Sequence, residues 1–227
     1  CPRFIISRRK IGKSTVNNQQ LMIPFLITFL IWALLHSLLA MRRTKAWARR
    51  RMGERPFTGL YRLLYNVISF ITILPVFYVM WTAVPPTLLW QIPAPWVYGA
   101  MGLRLIGLVG LAVALWQTDI WDFVGIRQAV RFLQGAEEMN LPPKLVTGGM
   151  YALVRHPLYF FSMLVLWFGS PMLLPSFLFN LLATGYFYAG SRVEERRLAD
   201  FFGETYAAYR QRVPGLLPIP RRLRSGS

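Results

Sequence analysis

Residues 21–40 read LMIPFLITFLIWALLHSLLA, twenty positions without a formal charge. At about 1.5 Å per residue a helix of that length reaches roughly 30 Å, the thickness of a bilayer's hydrocarbon core. The stretch that follows, MRRTKAWARRRMGERP, holds seven basic residues and one Glu. An uncharged run ending in a basic block is the pattern of a spanning helix anchored at the cytoplasmic interface.

The same alternation recurs down the chain. A second span is predicted over about 60–83, with Arg62 at its start, where the side chain can snorkel to the headgroups. PPTLLWQIPAPW comes next, with four prolines, two tryptophans and no charge. Proline stops the helix there, and tryptophan favours an interface. The third span, about 97–118, carries Gly99, Gly102, Gly107 and Gly110. Such small residues allow close helix approach where no water drives association. LYFFSMLVLWFGSPMLLPSFLFNLLATGYFYAG, residues 158–190, predicts two further spans at about 157–173 and 176–191, turned back on each other as a hairpin. The final segment predicts an amphipathic helix ending near Val213, with Leu198, Phe201, Phe202, Tyr206 and Tyr209 on one face.

The fold class expected is therefore all-α, an integral membrane bundle of about five transmembrane helices with a C-terminal amphipathic helix. Composition agrees. Of 227 residues 55% are hydrophobic and 15% charged, where a soluble domain is about a quarter charged. The net charge of +17 would suit nucleic acid only if the basic residues lined a water-exposed face. Here they cluster between apolar runs, so anionic membrane lipid is the expected partner and nucleic acid is not. Cys1 is the one cysteine and His36 and His156 the two histidines, a set with no disulfide framework and no zinc-site spacing.

Basic residues also orient the chain. The connections 41–59 and 119–156 carry seven and four, and the tail from Arg192 carries eight. The connections after the second and fourth spans carry none. All loaded connections after the first span then lie on one side, which is cytoplasmic, C-terminus included, as in a bacterial inner membrane. Residues 1–20, with five basic residues, fall on the other side. They read either as a basic segment ahead of the bundle or as sequence upstream of a start at Met22. Three regions result: 1–20; a three-helix scaffold over 21–118; and a cytoplasm-facing region over 119–227.

Polar groups able to do chemistry gather after residue 117. In LVTGGMYALVRHPLY, residues 145–159, Gly148 and Gly149 permit a tight turn and Pro157 suits the first turn of a helix. Arg155 and His156 thus stand at a helix mouth that favours an anionic group, or else form an interfacial anchor. Glu194 and Glu195 adjoin the last span. They pair with neighbouring arginines, or else Glu194, on a face with Leu198 and Phe201, meets a ligand ammonium. Asp119 and Asp122 in TDIWDFVGIRQ read as an interfacial helix end or as a polar site. His36 fits a hydrogen bond to a neighbouring helix better than catalysis.

Taken together, Gly149, Tyr151, Val154, Arg155, His156, Pro157, Tyr159, Glu194, Glu195, Leu198, Phe201, Phe202, Gly203, Tyr206, Tyr209, Val213 and Pro214 stand in an order that resembles the isoprenylcysteine carboxyl methyltransferases and their bacterial relatives. HSLLAMRRTKAW and TDIWDFVGIRQ are similar to the branch that holds the membrane methanethiol S-methyltransferases and the nitric-oxide-metabolism-associated membrane proteins. The resemblance implies S-adenosylmethionine as cofactor, bound by Lys144, Leu145, Val146, Tyr151, His156, Pro157, Leu158, Tyr159 and Glu194. It also implies methyl transfer to a small thiol or a lipophilic acceptor. The arginine that eukaryotic members place four residues before the binding glutamate is Gly190 here, which argues against a prenylated-cysteine carboxylate as substrate. A cationic neighbour lowers a thiol's pKa, and Arg155 and His156 are the candidates for that field. The rival expectation is a non-catalytic membrane subunit or transporter that keeps the fold.

Overall fold

In the computed structural model, which describes residues 18–137 and 144–219, long apolar helices carry the architecture. The segment 1–20 falls almost wholly outside the described residues. Helix α1 (Asn18–Ala40) is followed by α2 (Arg42–Met52), α3 (Glu54–Ala83), strand β1 (Leu88–Trp90) and α4 (Trp96–Gln117). Short helices α5 (Ile120–Val124), α6 (Ile126–Leu133) and α7 (Met150–Leu153) lead to α8 (Pro157–Trp167), strand β2 (Met172–Leu173), α9 (Leu174–Phe202) and α10 (Glu204–Arg212). Within α1, the stretch Met22–Ala40, with the whole of α3 and α4, is long and apolar enough to cross a membrane. The outward faces fit that solvent: Phe70 is 67% exposed, Tyr78 71% and Trp116 81%.

The hairpin differs from expectation. Helix α8 has 11 residues, about 16 Å at 1.5 Å per residue. That is short of a bilayer core. It stops before Gly169-Ser170-Pro171, and the chain then runs extended so that β2 pairs antiparallel with β1, Leu173 facing Leu88 and Met172 facing Trp90. A two-stranded strip therefore joins two connections on one side of an otherwise helical molecule. The C-terminal amphipathic helix is likewise in two pieces. Helix α9 runs unbroken from the apolar segment through the charged one to Phe202. Gly203, at φ +53°, then breaks it ahead of α10. Tyr206 and Tyr209 are buried as expected, whereas Phe201 lies 62% exposed. The basic stretch after the first span is itself helical, as α2.

Two packing seams position the site. Phe25 and Phe29 of α1 and Val76 and Met80 of α3 form a buried core that Leu178 and Phe179 of α9 cover. On the other side α4 lies against α8. A Cβ on Gly110 would enter the Phe161 ring, and one on Gly107 would sit 3.0 Å from Leu164 Cβ. Two of the four glycines thus serve close approach, while Gly99 and Gly102 face open space.

Asp119 and Asp122 serve a clamp between α5, α6 and α3. Asp122 accepts from Arg62 at 2.7 Å and from Gln128 at 2.7 Å, and Asn66 donates to the Val124 carbonyl at 2.9 Å. Asp119 caps α5 and accepts from Arg127 at 2.5 Å. That hydrogen bond holds its carboxyl below the usual range, against the opposing effect of desolvation.

Candidate active site

The corner between α7 and α8 is built by local rules. Gly149 enters it at φ +58°, and the Gln117 side chain fills the space a Cβ there would need. Gln117 Oε1 accepts from the Met150 amide at 3.0 Å, tying α7 to the end of α4. Val154 is fully buried, and Pro157 starts α8. Between them the Arg155 and His156 amides donate to the Pro214 and Gly215 carbonyls at 2.9 and 3.3 Å, so the chain beyond α10 lies along the corner.

Arg155 is almost wholly enclosed, its side chain 3% exposed. Its guanidinium donates to the Val213 carbonyl at 2.6 Å, the Arg210 carbonyl at 3.1 Å and Glu195 Oε1. The first two close the orphan carbonyls at the end of α10. Burial alone would raise the Glu195 carboxyl. The hydrogen bond and charge of Arg155, with His156 beside it, outweigh that and hold it below the ordinary carboxylate range.

His156 sits between the two glutamates. Its Nε2 is 3.4 Å from Glu195 Oε1, and its Nδ1 is 3.4 Å from Glu194 Oε2. Glu194 is half exposed and, among the described residues, has no arginine partner within salt-bridge distance. Tyr151 and Tyr159 lie close enough to feel its charge. The Tyr151 phenol is pushed up to about 12, first by burial and then by Glu194, so it remains a neutral donor at physiological pH. The Tyr159 ring stacks on His156 with centroids 5.7 Å apart, and on Phe187 of α9 at 5.2 Å. Tyr209 donates to the Tyr151 carbonyl at 2.5 Å and fixes that residue's backbone.

The sequence-predicted residues fall into four groups. Tyr151, His156, Tyr159 and Glu194 converge. Pro157 and Leu158 form the first turn of α8 behind them, Pro157 buried and Leu158 half-buried. Lys144, exposed, and Leu145 and Val146, half-buried, lie on the irregular segment that leads into α7. Arg155, expected to face a ligand or the acceptor, faces Glu195 instead. Glu195, read as a candidate partner of the arginines next to it, pairs with Arg155 instead, and Gln117 and Tyr209 carry hydrogen-bonding tasks that sequence reading did not assign.

Beside the corner, Phe187 and Tyr186 of α9 border an apolar cavity of about 310 Å³ that extends between the helices to Phe29, Trp32, Leu111 and Phe179.

Residues 24–199 match the family described as NnrU protein. The chain is 29% identical over 213 residues to methanethiol S-methyltransferase 1 of Bradyrhizobium diazoefficiens, covering 92% of this chain and 71% of that protein. It is 28% identical over 217 residues to the methanethiol S-methyltransferase of Mycobacterium tuberculosis, covering 93% and 81%. A partial likeness, 34% over 130 residues, joins it to the protein-S-isoprenylcysteine O-methyltransferase of Schizosaccharomyces pombe, covering 49% of this chain and 53% of that protein. No solved structure matches the chain significantly.

Proposed function

The chain belongs to the NnrU protein family and is a membrane methyltransferase, and on that premise we propose that it methylates a small or lipophilic thiol with S-adenosylmethionine as donor. The observation that carries this reading is the division of labour between adjacent carboxylates. Glu195 neutralises Arg155 inside the protein, which leaves Glu194 without a guanidinium among the described residues and beside two tyrosines and His156. A carboxylate beside aromatic rings suits a ligand that offers an ammonium and a flat heterocycle. When bound, that ligand supplies a sulfonium-activated methyl group.

The chain's own residues then have distinct tasks. Glu194 holds the ligand ammonium. Tyr159 and Tyr151 present ring faces, and Tyr151 stays a neutral hydrogen-bond donor. His156 orients Glu194. Lys144, Leu145 and Val146, with Pro157 and Leu158, wall the remainder. Arg155 is a positioning residue that ties α9, α10 and the corner together. Such a site works mainly by alignment and exclusion of water, because the methyl group arrives activated.

The relatives named as methanethiol S-methyltransferases favour a thiol over a carboxylate acceptor, as does glycine at position 190. The positive-inside distribution supports a corner that faces the cytoplasm. The test is calorimetry of the purified protein with S-adenosylmethionine. Glu194→Gln removes a charge-assisted contact of about 1.5–3 kcal/mol, so affinity should fall roughly 10- to 150-fold. An unchanged affinity removes Glu194 from the site.

A further inference from the structure

His36 lies inside the first span, and the cofactor corner does not use it. Its ring is held from both ends. Ser69 Oγ donates to the Tyr65 carbonyl at 2.7 Å, so it accepts from the imidazole Nδ1–H at 2.8 Å. That fixes the tautomer: Nε2 carries the lone pair, and the Tyr65 hydroxyl donates to it at 2.6 Å. The imidazole stacks on Trp32 at 5.3 Å and lies edge-on to Tyr186 at 6.0 Å. Both of those rings wall the 310 Å³ cavity. At the cavity's other flank Phe187 stacks on Tyr159, which in turn stacks on His156. The Tyr65 ring itself packs on the imidazole, with centroids 4.9 Å apart. The apolar cavity thus leads through Phe187 to the cofactor corner, and on its other flank Trp32 and Tyr186 pack against the oriented imidazole and its Tyr65 partner.

Resting on the reading of the protein as a thiol methyltransferase, we infer that the cavity holds the hydrocarbon part of an uncharged thiol and that His36 takes the thiol's proton through Tyr65. An apolar wall favours R–SH over thiolate, and an alkane thiol is almost wholly protonated at neutral pH, so its proton leaves inside the protein. The S–H bond breaks as its proton passes to the Tyr65 oxygen, while the Tyr65 proton passes to His36 Nε2. The freed sulfur lone pair forms the new S–CH3 bond as the donor's S–CH3 bond breaks. One positive charge disappears from the donor sulfur and one appears on the imidazole, so the site never changes its net charge. After the thioether leaves, the imidazolium returns its proton to water, four residues or about 6 Å from the cytoplasmic end of α1. Other groups around His36 are Ser37, hydrogen-bonded to Tyr186 at 3.0 Å, and Arg197 of α9, whose charge reaches Tyr65. Neither is placed as a proton acceptor.

His36→Asn tests this, since Asn keeps a donor for Ser69 but cannot hold the proton. Proton transfer contributes about 10²–10⁴-fold. At neutral pH kcat/KM for ethanethiol should therefore fall at least 100-fold, and for 4-nitrothiophenol, already ionised, less than threefold. The ethanethiol rate of the variant should climb about tenfold per pH unit as thiolate forms. S-adenosylmethionine affinity by calorimetry should stay within twofold of the parent. Without donor, thiophenol bound to the parent protein should ionise at lower pH, by its ultraviolet absorbance, than thiophenol bound to the variant. Equal losses for the two acceptors, or none for either, would overturn the role of His36 while leaving the methyltransferase reading intact. If the unsubstituted protein methylates neither thiol, both fall together.

Discussion

Glu195→Gln should destabilise the protein severely and leave its cofactor site chemically complete. The carboxyl is enclosed, with its side chain 9% exposed, and its partner Arg155 is 3% exposed. Removing one member of a buried pair strands the other and costs about 3–5 kcal/mol. Arg155 would keep its bonds to the Val213 and Arg210 carbonyls, so the lower end, about 3 kcal/mol, is expected. At about 2–4 °C per kcal/mol for a chain of this size, the thermal midpoint in detergent should fall by roughly 6–12 °C, read by circular dichroism. The loss should also depend on pH. The folded Glu195 carboxyl lies below its ordinary value of 4.5. Its stabilisation is therefore full above that value and drains away as pH falls through the lower folded value. The gap between parent and variant should close in that acid window. Glu194→Gln, one residue away, should change stability by less than about 0.5 kcal/mol. The reasoning is refuted if the two variants unfold alike, or if the gap persists unchanged in acid.

Other outcomes follow from the same contacts. Gly110→Ala should cost about 1–3 kcal/mol by overpacking against Phe161, while Gly102→Ala, facing open space, should be neutral; thermal midpoints of the pair decide it. Gly149→Ala should cost more than about 1 kcal/mol, because an L-residue at φ +58° is strained and its Cβ would displace Gln117; loss of both stability and cofactor affinity would be the signature. Tyr209→Phe should cost about 0.5–1.5 kcal/mol by freeing the Tyr151 carbonyl, again by thermal unfolding, and an unchanged midpoint would remove that bond from the account.

How far these conclusions could be read from sequence varies with the range of the physics involved. Spans over 21–40, 60–83 and 97–118 were legible because desolvation acts on every residue alike, so a sum along the chain suffices. The fourth was not. The apolar run 157–173 is continuous in hydropathy, yet α8 ends at Trp167, where the extended segment finds a pairing partner in Leu88–Trp90. That partner lies some eighty positions upstream, where no local sum can see it. The split of the C-terminal helix at Gly203 was more nearly readable, since a glycine followed by Glu at the next first turn is a stop and a start together.

The acidic pair marks the sharpest limit. Consecutive helix positions differ by about 100°, so Glu194 and Glu195 cannot share a face, and sequence alone offered both. The i, i+4, i+7 pattern with Leu198 and Phe201 favoured burying Glu194, but Phe201 faces outward and Glu195 takes the interior. The deciding interaction is with Arg155, forty positions away and itself fixed by carbonyls at the end of α10. A buried guanidinium must find one carboxylate, and whichever glutamate satisfies it is withdrawn from ligand binding. The other is thereby left at the rim, without an arginine among the described residues. Arg155 thus shapes the proposed cofactor site without touching the cofactor, by selecting which of two chemically identical neighbours remains available to it.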